Sequence, residues 1–255
     1  YKRQGVWHTN AGCSLLNQDE VTMGDVFLDA GYETGLFGKW HLGDNYSFLP
    51  EQRGFKETFY HKGGGVGQTP DYWNNDYQDD IYFRNGEPEE SKGYCTDVFF
   101  DEAISFINKN KENPFLCFLS LNAPHSPFNV PKEYYELYEN ESDLLESQKR
   151  FYGMITNIDD NFGRLHQQVE SLGILDNTII IFTTDNGTSN GYKYSKKDKK
   201  WLGFNAGMRG TKTSEYDGGH RVPFIIKWKK GGLFGGHNYS GLSAHVDMLP
   251  TLLSF

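Results

Sequence analysis

The stretch "GYETGLFGKWHLGD", residues 31–44, decides the fold. A turn glycine opens it, a short apolar run follows, and the run ends directly in Gly38, Lys39, Trp40 and His41. It reads as a buried strand that delivers a cation and an imidazole at its end. Three further apolar runs resemble it: "PFLCFLSL" (114–121), "TIIIFTT" (178–184) and "VPFIIKW" (222–228). Helical periodicities alternate with these runs. Met23, Val26, Phe27 and Ala30 recur at helical spacing behind Thr22, an N-cap with Asp25 three positions on, and Gly31 supplies the stop. Val98, Ile104, Phe106 and Ile107 follow Asp97 and predict a second helix ending in "NKNKEN" before Pro114. Phe151, Ile155, Ile158, Phe162, Leu165, Val169 and Leu172 alternate steps of four and three, and Gly173 closes that helix. Helices alternating with short apolar strands predict an α/β fold, its mainly parallel or mixed central sheet sandwiched by helices on both faces.

The 255 residues, 37% hydrophobic, suffice for one large domain. Net charge is −9, so the overall field repels nucleic acid and anionic membranes. An anionic ligand therefore requires a local concentration of positive groups. The three cysteines, Cys13, Cys95 and Cys117, form no CxxC pair and signal neither a disulfide framework nor a zinc site. Cys117 lies in an apolar run and reads as a core residue. No apolar run approaches the ~18 residues of a membrane span. The opening "YKRQGVW" is no signal peptide and lacks an initiator methionine, while "MLPTLLSF" stops inside an apolar segment, so both ends are expected to be cut. Residues 44–95 and 188–208 are aromatic, polar and glycine-rich, and read as long loops over the sheet. The basic run "KYSKKDKK" (193–200) reads as a solvated loop.

Three strand ends carry chemistry. The first exits into Lys39 and His41, the second into "APHSP" with His125, and the third into Asp185, Asn186 and Gly187. Ligands of open parallel sheets bind outside the carboxyl ends of the strands. Each residue alone has an ordinary reading: a solvated lysine, a satisfied histidine, an Asn-Gly turn. Their shared position favours one site. "MRGTKTSEYDGGHRVPFI" adds Lys212 in a loop just before the last strand.

Lysines and imidazoles around a carboxylate–amide pair suit a tetrahedral oxyanion ester, either sulfate or phosphate. Asp185 and the Asn186 carbonyl are hard oxygen donors for Ca²⁺, with Mg²⁺ second. The lysines neutralise anionic oxygens, and a histidine can protonate a leaving alkoxide.

These motifs resemble the formylglycine-dependent sulfatases of the alkaline-phosphatase-like superfamily. "GYETGLFGKWHLG" resembles the family's second signature. "APHSPFNVP" is similar to its strand-exit histidine segment, "LDNTIIIFTTDNG" to its metal-binding strand, and "MRGTKTSEYDGGHRVPF" to its late lysine loop. "VDMLPTLL" resembles the segment that closes the main domain. The resemblance runs over nearly the whole chain, residues 1–255. It implies that Asp185 and Asn186 bind calcium and that Lys39 and Lys212 hold the sulfate. His41 would help the formylglycine hydrate expel sulfate, and His125 would bind the ester and protonate the leaving oxygen. The substrate would be a sulfated small molecule or glycan, and the location periplasmic, secreted or lysosomal.

The nucleophile of that family is made from Cys or Ser in C-x-P/A-x-R, which this sequence does not contain. "CSLLN", from Cys13, has leucine and asparagine where the motif needs Pro or Ala and Arg. The family's first two metal aspartates and its small C-terminal domain are also missing. The motif is expected about ten to twenty residues before Tyr1, room for a short helix and a loop, and the 255 residues alone are expected to be inactive. A phosphodiesterase or phosphonate monoester hydrolase of the same superfamily is the nearest alternative, and a non-catalytic glycan-binding relic is another. Thr213 stands after Lys212 where the family commonly has glycine. Arg221 reads as a loop anchor; His8, His220 and His245 read as structural. Asp71, Tyr72 and Trp73 could meet a sugar or aryl ring, or could simply pack their own loop.

Overall fold

The structure, a computed structural model, describes residues 15–255. Cys13 and His8 lie outside the described residues. The strands are β1 (Glu33–Trp40), β2 (Glu57–Lys62), β3 (Ile81–Arg84), β4 (Glu87–Glu90), β5 (Phe115–Ser120), β6 (Ile180–Thr183), β7 (Tyr192–Ser195), β8 (Lys200–Gly203) and β9 (Phe224–Lys227). The helices are α1 (Met23–Asp29), α2 (Cys95–Asn110), α3 (Lys132–Glu136), α4 (Glu146–Ser171), α5 (Asp217–His220) and α6 (Met248–Leu253).

Five strands form the central sheet in the order β4-β3-β2-β1-β5. β1 runs parallel to both β2 and β5, whereas β3 and β4 pair antiparallel towards one edge. The sheet is therefore mixed. β1 sits at its centre and is buried on both faces because its side chains alternate between two cores. Leu36 and Trp40 pack with Phe55 and Tyr60 on one face, and Phe37 packs with Phe59, Phe99 and Phe106 on the other. Each such fully buried side chain stabilises the fold by about 1.5–3 kcal/mol relative to exposure.

α2 lays Phe99, Ala103, Phe106 and Ile107 onto the sheet. α4 packs on α2 through Met154 and Val169, and the two are joined at a polar point. The Asp97 carboxylate accepts from Asn157 Nδ2 at 2.8 Å and Asn161 Nδ2 at 2.7 Å, which pairs the two buried amide nitrogens. α1 carries the expected capping box, with Asp25 N donating to Thr22 Oγ1 and Thr22 N to Asp25 Oδ2.

Three expectations are corrected. Residues 44–95 are not only loop, since they contain β2, β3 and β4. Asn85 and Gly86, at φ 49° and 90°, make the two-residue turn of the β3–β4 hairpin. Every residue of β4 is exposed, so this charged edge strand gives no apolar signal. The second loop, 188–208, contains the antiparallel β7–β8 hairpin, and the basic run spans its turn. Finally, β6 pairs antiparallel with β9 in a separate two-stranded sheet. It is not the neighbour of β5 in one parallel sheet. Among the described residues, the backbone partners of β6 come only from β9.

Candidate active site

The site begins where β1 meets β5. Gly38 lies at φ 120°, and a Cβ there would collide with the Ser120 carbonyl oxygen. Only glycine permits both the backbone angle and the approach. Ser120 Oγ closes the joint with a 2.8 Å hydrogen bond to Lys39 O. Lys39 Nζ donates to Gly64 O at 2.7 Å. Burial lowers the Lys39 pKa; the Asp185 carboxylate opposes that shift, and the Lys212 ammonium adds to it.

His125 follows β5, and its backbone is held on both sides. His125 N donates to Asn122 O at 2.9 Å, and Tyr77 Oη donates to His125 O at 2.7 Å. Nδ1 faces Ser126 O at 2.8 Å. A carbonyl can only accept, so Nδ1 carries the hydrogen of the neutral ring and Nε2 is left for a ligand. The His125 pKa is lowered, chiefly by burial and further by Lys39 and Lys212, with Ser126 O and Asp185 acting the other way. Residues 64 and 65 bring His41 beside His125. The Cβ position of Gly64 lies 3.0 Å from His41 Cε1, and that of Gly65 lies 3.1 Å from His125 Nδ1.

Two later loops complete the cluster. Gly187 N donates to Gly219 O at 2.9 Å, and a Cβ on Gly187 would collide with Gly218 O. Lys212 N donates to Thr188 O at 2.9 Å. The lysine loop is thereby fastened to the Asp185–Asn186 turn. Asp185 and Lys212 both act electrostatically on Lys39 and on His125, so four segments distant in sequence meet at one place. His245 Nε2 lies 2.9 Å from Thr184 O, directly before Asp185. His220 contacts Glu215 O within its own loop. The Arg221 side chain forms a 3.6 Å surface pair with Asp217, a weak anchor. Thr213 sits at φ 75°, the conformation that explains why glycine would suit that position.

The donor set suits calcium in type. Asn186 Nδ2 donates to Gly187 O at 3.0 Å, which turns its Oδ1 away from that carbonyl and leaves an oxygen donor beside the exposed Asp185 carboxylate. Calcium takes about six to eight oxygens. Among the described residues no group of three His, Cys, Asp or Glu side chains could hold a metal. Asp185 and Asn186 can supply two oxygens of such a shell.

Sequence reasoning missed His61. It lies opposite Lys39 in the β1–β2 register and is fully buried. Its Nδ1 faces Lys62 O at 3.1 Å, while Nε2 is buried without a hydrogen-bond partner. Its pKa is pushed down to about 3, mostly by burial, with smaller contributions from Lys39, His125 and His41. His61 is thus a neutral ring behind a cationic cluster. Its signal was hidden because residues 57–62 read as loop.

The Sulfatase family model matches residues 1–255. An uncharacterized sulfatase of Escherichia coli, YdeN, is 29% identical over 98% of this chain and 46% of its own length. The ulvan-active sulfatase of Formosa agariphila is 27% identical over 93% of this chain and 47% of its own. The chain thus spans about half the length of the curated relatives it matches. The crystal structure of Ps i-CgsB superposes with a TM-score of 0.84 at 26% identity, covering 99% of this chain and 57% of that one. Its complex with k-i-k-neocarrahexaose superposes with a TM-score of 0.80 at 28% identity, covering 98% and 56%. The fold is alkaline-phosphatase-like, and the chain belongs to the sulfatase family.

Proposed function

We propose that these residues form most of a site that hydrolyses the sulfate esters of a glycan, with a formylglycine nucleophile supplied from outside the 255 residues. The observation that carries this reading is the convergence of four segments, through which Asp185 and Lys212 act electrostatically on both Lys39 and His125. Two cations and an imidazole fit a sulfate monoester better than a neutral substrate. The names of two similar proteins support a glycan: one is ulvan-active, and the other was crystallised with a neocarrahexaose.

Lys39 and Lys212 hold the anionic sulfate oxygens, and the partial burial of Lys39 strengthens that attraction by excluding water. His125 presents Nε2 to the bridging oxygen and gives it a proton as the ester bond breaks. Both lysines disfavour the imidazolium, so the arriving sulfate charge restores the proton that the step needs. His41 takes part in expelling sulfate from the enzyme. Asp185 and Asn186 would hold a calcium ion, which supplies charge neutralisation and Lewis acidity when bound.

The test is inorganic sulfate release by the natural protein that contains these residues, from sulfated galactan and glycosaminoglycan oligosaccharides and from 4-nitrophenyl sulfate. Sulfate release that falls at least about 10²-fold in Lys212→Ala is expected, the loss typical of removing one transition-state charge donor. Preferential hydrolysis of phosphate diesters would replace this reading with the phosphodiesterase one.

A further inference from the structure

A second cleft, of about 640 Å³, is walled by Pro70, Asp71, Tyr72, Trp73, Asp80 and Phe83, among others. Its volume falls in the range of small-molecule sites, about 300–1,000 Å³. Its loop is the one that runs under the catalytic histidines. Gly64 and Gly65 lie against His41 and His125, and Gly67 N donates to Asp71 Oδ2 at 2.8 Å. Tyr77, just beyond the cleft, supports His125 O directly.

The aromatic loop does not pack itself. Tyr72 lies against Phe83 with ring centroids 6.4 Å apart, but Trp73 is 84% exposed and has no ring contact among the described residues. The neighbouring loop is held by hydrogen bonds. Asn75 Nδ2 donates to Ile81 O at 2.8 Å, and Asn75 Oδ1 accepts from Ile81 N at 2.9 Å. Asp80 accepts from the backbone nitrogens of Asp76 and Tyr77 at 2.8 and 2.9 Å. A large indole held open beside a braced loop is an unfilled apolar contact.

Polar groups around the cleft complete the chemistry. Asp71 Oδ1 is buried without a partner, and burial raises the Asp71 pKa to about 6. Asp79 and Asp80 also line the cleft, no lining residue is cationic, and Lys62 Nζ is taken up 4.0 Å over the Phe83 ring. Carboxylates accept strongly from sugar hydroxyls but repel a sulfate group.

We infer that this cleft is a subsite for an unsulfated sugar residue of the glycan, stacked on Trp73 and hydrogen-bonded to Asp71, next to the residue that loses its sulfate. The inference rests on the sulfatase reading for the neighbouring site, and it adds a charge rule for the substrate. The residue beside the scissile ester is neutral.

The test uses the natural protein with two readouts. The first is binding to an array of galactan and glycosaminoglycan hexasaccharides, sulfated at one residue or at two adjacent ones, which needs no turnover. The second is kcat/KM on the hexasaccharide bound best, divided by kcat/KM on 4-nitrophenyl sulfate. Wild type should prefer singly sulfated members. Trp73→Ala should weaken their binding about tenfold, the effect of truncating a central aromatic anchor, and lower the kinetic ratio to match. Asp71→Asn should reduce the discrimination against adjacent sulfates. Unchanged array binding and an unchanged ratio in Trp73→Ala would overturn the subsite. Trp73-dependent binding with no hydrolysis of any ester would instead refute the hydrolase reading and leave the subsite standing.

Discussion

Ser120 Oγ donates a 2.8 Å hydrogen bond to the carbonyl oxygen of Lys39, at the point where Gly38 and Ser120 pair across β1 and β5. This contact sets the distance between the strand end that carries Lys39 and His41 and the one that leads to His125. Gly38→Ala should therefore cost at least about 2 kcal/mol, from its φ of 120° and the collision with Ser120 O. Ser120→Ala should cost about 1 kcal/mol, one hydrogen bond. Urea denaturation measures both, and a Gly38→Ala protein as stable as wild type would show that the joint is slack.

His125→Ala should harm esters with poor leaving groups far more than activated ones. A general acid contributes about 10²–10⁴-fold, and a nitrophenolate leaves without a proton. Rates on an alkyl sulfate and on 4-nitrophenyl sulfate decide the matter. Equal losses on the two would take the acid role from His125.

Thr213 is a β-branched residue at φ 75° on an exposed loop. Thr213→Gly should raise stability by about 1 kcal/mol through relief of that strain. Thermal melting at constant pH reports it. A lower melting temperature would mean that the Thr213 side chain stabilises the lysine loop by more than its backbone costs.

His61 gives the fold a pH dependence. In the unfolded chain it binds a proton near 6.5, but in the folded protein not until about 3. Across that window the unfolded state holds the extra proton, so stability is full above about 6.5 and falls as pH drops towards 3. The slope from this group is at most about 1.4 kcal/mol per pH unit. His61→Gln should flatten the profile by up to one proton. An identical slope in the variant would show that His61 is not held neutral.

Much of the site was legible because its residues sit at strand ends. A run such as residues 33–40 announces both its burial and the polar group that follows it. The three longest helices, α1, α2 and α4, were legible from their period, whereas the short α3 and α5 were not. The charged strand β4 was not, because nothing apolar marks it. The pairing of β6 with β9 was hidden for another reason: an apolar run records burial but not the direction of its neighbour. His61 shows the third limit. A histidine in a polar-looking segment gives no sign that it lies opposite Lys39 until the register of β2 is known.

The most direct test of the single site is a crystal structure of the natural protein with a slowly hydrolysed sulfated oligosaccharide. Lys39 Nζ and Lys212 Nζ should each lie about 2.7–3.2 Å from oxygens of one sulfate group, with His125 Nε2 facing its bridging oxygen. A sulfate seated on the basic hairpin at residues 193–200, with Lys39 and Lys212 contacting no part of the ligand, would contradict the account.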